Sequence, residues 1–439
     1  MWRRWVCVAG LGAAGCVSSG TWSTFHSVER ALDRDEDERA AASGDLSGCT
    51  ALAEQVVEGF PSLDAARRRA RAALARGRSE GALPAPEIML EAWDFPIGDP
   101  QLADREGMYM AGITQRLPPA GALDGRARAQ AEEAEAAVGE LAERRARLRE
   151  RAVDACVAWS ASDLEAERLR SAEQLATGMR ESLAAQVRAG GATSIADLAQ
   201  VDAELARLAR LRVEAEGRSA RASARLGAWM GGEMPSAAPE IDTPADQGSV
   251  ERWIELALER HGALRAARAR ARAAEARADA TRAEATVPTF MVGASYMQMP
   301  QGRPGMGASV GMTLPWLWSG EGAARDAAVL EAEAELDEVA ALEREVRAEV
   351  RGAAAELHAA SQALTELRER ERPAAERALE AMGARYPSGA VDLDAWLDAA
   401  RRVRDLDVEE ARLLGNVARA WAALEGAVGD SLGSEVGHE

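Results

Sequence analysis

The chain has 439 residues, of which 28% are charged and only 4% are aromatic, and its formal net charge is −19. Scarce aromatic residues argue against a single compact core of this size, whereas abundant Ala, Arg, Glu and Leu are typical of long helices. The negative charge disfavours a nucleic-acid partner, because phosphate binding requires clustered cations. It does not identify a cationic cargo, since a solvated acidic surface accounts for it.

The first residues are typical of an export signal. Two arginines precede a short apolar stretch at 6–14, which is far below the ~20 residues that a spanning helix needs. Small residues directly before Cys16 resemble a bacterial lipoprotein processing site, although Ala13 stands where that pattern prefers leucine. We expect a signal peptide at 1–15 and a lipid on Cys16. The alternative is an ordinary cysteine inside a discarded signal peptide.

The other cysteines and the histidines give no metal site. Cys7 falls in the signal stretch, which leaves Cys49 and Cys156, and their spacing predicts neither a disulfide nor a metal site. The histidines are scattered without ligand spacing, and we expect His261 and His358 on helix surfaces. No phosphate-binding loop, nucleophile elbow or paired carboxylates stand out. The sequence therefore predicts a protein that is not an enzyme and holds no cofactor.

An internal repeat organises the chain. Residues 60–77 (FPSLDAARRRARAALARG) match 261–278 (HGALRAARARARAAEARA), and 190–198 (GGATSIADL) match 388–396 (SGAVDLDAW). The order helix, two strands, long helix, turn, helix is therefore expected twice. The predicted divisions are a signal peptide at 1–15, a lipidated flexible lead-in at 16–47, a first repeat at 48–230, a linker at 231–248, a second repeat at 249–429 and a tail at 430–439.

The helical parts carry coiled-coil seams. Apolar residues follow steps of three and four through most of 322–385, a helix of roughly 95 Å that must pack lengthwise against other helices. A second coiled-coil seam begins at residue 127. A third begins at residue 396, and Asp407 and Glu410 interrupt it.

Four segments alternate as β-strands do, near 87–92, 109–114, 289–298 and 307–314. Their lengths and their apolar and polar faces suit a transmembrane barrel, and an ordinary half-buried soluble hairpin has the same alternation. Four strands leave two open edges, which lipid does not tolerate. Closure therefore requires several copies, and neither two copies with eight strands nor three with twelve is excluded by this argument.

The segments in this order resemble the TolC-type outer-membrane efflux protein family over nearly the whole mature chain. The resemblance is carried by LPAPEIMLEAW (83–93), ITQRLP (113–118), VPTFMVGASY (287–296), SVGMTLPWLW (309–318) and YPSGAVDLDAWLDAARRV (386–403). The chain is most similar to the branch of metal-efflux channels that serve resistance-nodulation-division pumps. The resemblance implies an α+β fold of mostly long α-helical coiled coils. It consists of a homotrimeric helical barrel in the periplasm below a twelve-stranded β-barrel in the outer membrane.

The resemblance also implies partners and site residues. A periplasmic adaptor protein and an inner-membrane pump would dock at the two helical turns, and substrate would pass through the lumen. The adaptor-contact candidates are Arg188, Gly190, Gly191, Tyr386, Ser388 and Gly389. Asp392 and Asp394 are gate candidates, because acidic rings at a constriction can select cations. The alternative is that Asp392 only caps the following helix.

Two other functions share parts of this pattern. A periplasmic coiled-coil adaptor or structural protein would share the signal peptide and the heptads. The duplicated strand pairs argue against that class. The outlet of a type I protein secretion system would share the strands as well, and the sequence leaves it open. The sequence does not identify the cargo.

Overall fold

The computed structural model describes residues 5–7, 16–41, 48–93, 107–189, 194–231, 234–241, 248–299, 302–317, 320–386, 390–429 and 432. Its helices are α1 (Ser19–Ala41), α2 (Cys49–Gly59), α3 (Pro61–Glu80), α4 (Ala120–Arg188), α5 (Ile195–Met230), α6 (Val250–Arg260), α7 (Gly262–Thr286), α8 (Gly320–Glu366), α9 (Arg372–Arg385) and α10 (Leu393–Val428). Its strands are β1 (Trp5–Cys7), β2 (Cys16–Ser18), β3 (Glu87–Trp93), β4 (Met108–Leu117), β5 (Phe290–Gln298) and β6 (Gly305–Met312).

The predicted order of elements occurs twice. In each half, a pair of helices leads to two strands, a long helix and a second helix. A single π-helical turn at Leu367–Glu371 separates α8 from α9, so the predicted 322–385 helix is continuous except for this turn. The helices and strands divide between two compact units. The first is 1–37, 65–141 and 262–342, and the second is 38–64, 142–261 and 343–439.

The first unit contains a four-stranded antiparallel sheet in the order β3-β4-β5-β6. Ile88 pairs with Ile113, and Val292 pairs with Val310, so the apolar side chains of neighbouring strands share one face. Among the described residues that face is uncovered: Ile88 is 77% exposed and Val310 is 75% exposed. The alternation predicted from the sequence is confirmed, and β3 and β6 each pair along only one edge.

Close helix contact in the first unit depends on glycine. A Cβ at Gly139 on α4 would lie 2.6 Å from the backbone nitrogen of Ala266 on α7, and one at Gly125 would lie 2.8 Å from the Cβ of Ala280. Arginines of α7 then pair with carboxylates of α4, for example Arg272 with Glu132 at 2.8 Å. The Ala-rich composition noted in the sequence therefore allows α4 and α7 to pack with their backbones close together.

The second unit is held by a disulfide and by apolar clusters along its helices. Cys49 at the start of α2 is bonded to Cys156 on α4, and both are buried. Leu169 of α4 and Leu208 of α5 form a cluster with neighbouring alanines. The disulfide is a finding that the spacing of the cysteines did not predict.

The lead-in expected to be flexible at 16–47 is instead helical over Ser19–Ala41, which corrects that prediction. Phe25, Val28 and Leu32 recur at steps of three and four and are buried. Gly77 leaves room for the Phe25 ring, because a Cβ there would lie 2.6 Å from Cε1. The local apolar stripe therefore outweighs the polar composition of the segment.

Most of the predicted signal peptide and the side chain of Cys16 lie outside the described residues, as does much of the 231–248 linker. Trp5–Cys7 and Cys16–Ser18 form a short antiparallel pair. Within the described part of the chain, no helix has the length and apolar character needed to cross a membrane.

A half-buried carboxylate in the second unit faces no ion-pair partner among the described residues. Burial raises the pKa of Glu150 on α4 above its ordinary 4.5, and repulsion from Glu349 raises it further. Asp154 adds to this effect, while Arg151 and Arg147 oppose it. Because the folded state holds the proton more tightly than the unfolded chain, Glu150 favours folding only at low pH. It opposes folding increasingly as pH rises from 4.5 through the folded pKa.

We therefore expect Glu150→Gln to flatten the loss of stability with rising pH and to stabilise the protein at neutral pH by less than about 1 kcal/mol, since solvent screens a half-buried group. Unfolding by urea between about pH 4 and 8 measures this. Glu356→Gln, which neutralises an exposed carboxylate on α8, is the matched control. Parallel pH profiles for Glu150→Gln and the wild type would contradict the prediction.

Candidate functional site

The two helices that follow the predicted turns begin with side-chain caps. The Ser194 hydroxyl accepts from the backbone N–H of Asp197 at 3.1 Å, and the Asp197 carboxylate accepts from the backbone N–H of Ser194 at 2.7 Å. At the second turn, Asp392 Oδ1 accepts from the backbone N–H of Ala395 at 3.1 Å. The capping role of Asp392 predicted from the sequence is thereby confirmed.

An apolar cluster joins the helices that flank the two turns. Leu183 near the end of α4 and Val201 on α5 pack with Leu393 and Leu397 at the start of α10. All four are buried. The sequence placed these segments about 200 residues apart at equivalent points of the repeat, and the fold brings them to one end of the second unit.

Stacked aromatic rings line a groove beside this cluster. The Tyr386 and Trp396 rings have centroids 5.2 Å apart and an angle of 19° between their planes. The groove has a volume of about 470 Å³, and Met179 and Leu183 of α4 line its other side. The end of the unit therefore presents an open apolar groove with polar Gln174 and Gln186 among its lining residues.

The structure places four of the predicted site residues at this end. Arg188 is exposed and donates to the carbonyl of Ala184 at 3.2 Å, while Tyr386 is half-buried against the groove. Asp392 and Asp394 are both exposed at the start of α10. Gly190, Gly191, Ser388 and Gly389 lie outside the described residues, and their adaptor-contact role stays a prediction.

A buried charge cluster behind the turns was missed by the sequence reasoning. Glu204 on α5 is 7% exposed and forms an ion pair with Arg404 on α10, which is 8% exposed. Arg401 also donates to Glu204 at 3.0 Å, and Arg404 donates to Asp405 at 2.7 Å. These bonds tie α5 to α10 just behind the apolar cluster.

A second charge cluster joins α9 to α10. Arg372 lies 3.0 Å from Asp407 and 2.7 Å from Glu410, and Arg368 also reaches Glu410. Burial raises the pKa of Asp407 above its ordinary value, and the nearby Arg372 acts against this shift. The signal for this cluster was present in the sequence, because Asp407 and Glu410 are the residues that interrupt the third seam.

The two histidines that the sequence analysis considered, His261 and His358, differ in exposure. His358 is exposed, as expected, and contacts Gln362. His261 was expected on a surface, which is wrong: it is 6% exposed, with Nδ1 3.7 Å from Glu143. It lies at the junction of α6 and α7, where the backbone of Gly429 packs close by. Among the residues that the structure describes, no three His, Cys, Asp or Glu side chains are grouped to hold a metal ion.

Comparisons with known proteins agree with this architecture. The sequence model of a family described as outer membrane efflux protein matches residues 253–430. A comparison with curated protein sequences gives no significant match. The outer-membrane channel OprN is 19% identical, with a TM-score of 0.72 and 98% of each chain covered. CusC is 16% identical, with a TM-score of 0.74 and coverage of 89% of this chain and 96% of CusC.

The CmeC outer-membrane channel of Campylobacter jejuni is also similar, at 14% identity and a TM-score of 0.69, over 87% of this chain and 85% of CmeC. In all three comparisons the likeness covers at least 87% of this chain. The match to the outer membrane efflux protein family thus covers residues 253–430, and the chain as a whole has the fold of the TolC-type outer-membrane channels.

Proposed function

We propose that this protein is the outer-membrane channel of a tripartite efflux system, a passive conduit whose substrate is driven by an inner-membrane pump. The observation that carries the proposal is the channel fold over 98% of the chain, combined with the family match at 253–430. The duplicated strand pairs favour this function over a periplasmic coiled-coil adaptor, which we expect to have a single hairpin. No catalytic role is proposed.

Closure of the sheet supports a homotrimer. The strands alternate in direction, so β6 runs opposite to β3 and can pair antiparallel with β3 of another copy. An uncovered apolar face suits lipid, and lipid requires that no edge remain unpaired. Three copies, as in the family resemblance, give a twelve-stranded transmembrane barrel.

The disulfide supports export. Disulfides persist in oxidising compartments such as the bacterial periplasm and are rare in the cytosol. The buried Cys49–Cys156 bond thus agrees with a signal peptide at 1–15. We place the strands in the outer membrane, the helices in the periplasm and a lipid on Cys16.

The end of the second unit is the proposed adaptor-contact tip. It is where the helices that flank both turns pack together, and it offers an open groove with stacked aromatic rings and the exposed Arg188. Such a surface can receive apolar side chains of a periplasmic adaptor, which would in turn connect the channel to its pump. The parts of the turns that lie outside the described residues, including Gly190 and Ser388, belong to the same proposal.

The test is fractionation of the full-length protein and measurement of its detergent-solubilised mass, before and after boiling. A trimer in the outer-membrane fraction that opens ion-conducting channels in planar bilayers is the expected result. A monomer or dimer that is released with the periplasm would overturn the proposal, because the strands would then be ordinary hairpins. Mass spectrometry of the mature N-terminus checks the lipid on Cys16 separately.

Within this proposal, Asp392 and Asp394 form an acidic gate at the tip. We expect the double variant Asp392→Asn and Asp394→Asn to raise the resting conductance and to lower the preference for cations, because six carboxylates leave the trimer's constriction. Asparagine is as good an N-cap as aspartate, so the substitution removes charge while keeping the start of α10.

Single-channel recording in planar bilayers measures both quantities. Glu259→Gln, which neutralises an exposed carboxylate on α6, serves as the control and should behave as the wild type. Unchanged conductance and selectivity in the double variant would reject the gate and leave Asp392 as a helix cap alone.

A further inference from the structure

Most of α3 and the first half of α8 belong to the first unit, and each leaves one face uncovered by the described residues. On α3, Leu63, Ala70 and Leu74 are buried, while exposed residues on the opposite face recur at steps of four and three: Arg68, Ala72, Ala75 and Ser79. On α8, Ala332 is buried, and the opposite face carries a second exposed series, in which Leu330 is 64% exposed: Ala323, Ala327, Leu330 and Ala334. Each series has the spacing of a helix-packing seam, and no described residue of the chain covers it.

The two uncovered faces carry opposite charges. Exposed Arg68, Arg69 and Arg76 make the face of α3 basic, and they have no ion pair among the described residues. The face of α8 is acidic.

Between Arg325 and Arg344, α8 has no basic residue. Its exposed carboxylates Glu331, Asp337 and Glu338 flank the Leu330 series and likewise have no ion pair in the described part of the chain. A partner for either face must therefore supply small side chains and the opposite charge. The face of α3 supplies both to α8, and the face of α8 supplies both to α3.

The order of the chain places these faces at opposite edges of the sheet. β3 follows α3, and β6 precedes α8, while β3 and β6 are the two open edges. Pairing β6 of one copy with β3 of the next would therefore bring α8 of the first copy beside α3 of its neighbour. Because α3 leads toward its strand and α8 leads away from its strand, the two helices would run antiparallel.

We propose that the acidic face of α8 packs against the basic face of α3 in the next copy of this chain, and that this contact closes the ring of helices. The inference rests on the proposed homotrimer and identifies its self-interface. The contact is heterologous, so each copy uses both faces and the ring closes after three repeats. Small residues allow close packing, while the opposed charges fix the partner and the register more than they add affinity.

The test is a charge exchange in the full-length protein. One variant carries Arg68→Glu, Arg69→Glu and Arg76→Glu, a second carries Glu331→Arg, Asp337→Arg and Glu338→Arg, and a third combines all six changes. The temperature at which the trimer dissociates in detergent at low salt is measured for each by native mass. We expect both single-sided variants to dissociate below the wild type and the combined variant to recover most of the loss.

Controls separate the interface from folding and from the trimer itself. Lysine at 68, 69 and 76 keeps the charge and should leave the dissociation temperature unchanged, and circular dichroism checks that the helices remain. Single-sided variants as stable as the wild type, or a combined variant that recovers nothing, would overturn the proposed contact while the trimer stands. A wild type that is not trimeric would instead overturn the proposed function.

Discussion

Replacing both Cys49 and Cys156 with alanine is expected to lower the free energy of unfolding of the helical region by about 4 to 5 kcal/mol. The disulfide joins residues 107 apart in the sequence, and a cross-link that closes so long a loop removes much of the entropy of the unfolded chain. Both sulfurs are buried between α2 and α4, so the alanines also leave a small cavity. This is one of the two largest effects we expect from a change in the chain.

The measurement compares thermal unfolding of wild type and double variant with and without a reducing agent. Reduction should bring the wild type down to the variant and should leave the variant unchanged. Alkylation of unfolded protein should reveal two more thiols in the wild type after reduction than before it. Equal unfolding midpoints for the two proteins, or two reactive thiols in the unreduced wild type, would contradict the prediction.

Periodicity explains why most of the fold could be predicted from the sequence. Val292 and Val310 were placed on one strand face by their alternation, and they pair in register in the sheet. Val346 and Val350 belong to the predicted seam of the long helix, and both are buried. Such features depend on neighbours within a few residues, so they can be predicted from the sequence alone.

Features that depend on distant residues could not be read in the same way. The spacing of Cys49 and Cys156 carries no information about their separation in space. His261 is buried, and its neighbours include Gly429 and Glu143, which are far from it along the chain. Helix α1 is different: Phe25 and Leu32 gave a local signal, which the polar composition of 16–47 outweighed in the sequence interpretation.

In the candidate site, too, features set by nearby residues were predicted and features set by distant residues were not. The cap by Asp392 was predicted because an N-cap is decided within four residues. The pairing of Glu204 with Arg404 was not, because the two positions are 200 residues apart and each alone is an ordinary charge on a helix. Asp407 falls between these cases, since its interruption of an apolar seam indicates a half-buried charge but does not identify Arg372 as its partner.

The second large effect is expected from Glu204→Gln, which should lower the free energy of unfolding by about 3 kcal/mol. The substitution keeps the shape of the side chain and leaves Arg404 buried without its main counter-charge. Removing one partner of a buried ion pair typically costs about 3 to 5 kcal/mol, and the low end applies because Asp405 still bonds Arg404. Urea unfolding followed by circular dichroism measures the change.

Asp202→Asn is the matched control, since Asp202 lies two residues away on α5 and pairs with Arg180 in an exposed position. It should cost no more than about 1 kcal/mol. If Glu204→Gln costs as little, the pair is screened by solvent and does not hold α5 to α10.

A double variant with Glu204→Leu and Arg404→Met separates lost charge from lost packing. It should be more stable than Glu204→Gln, because apolar groups of similar volume can replace a buried ion pair without leaving a charge behind. Recovery in the double variant would show that the cost of the single variant comes from the stranded arginine.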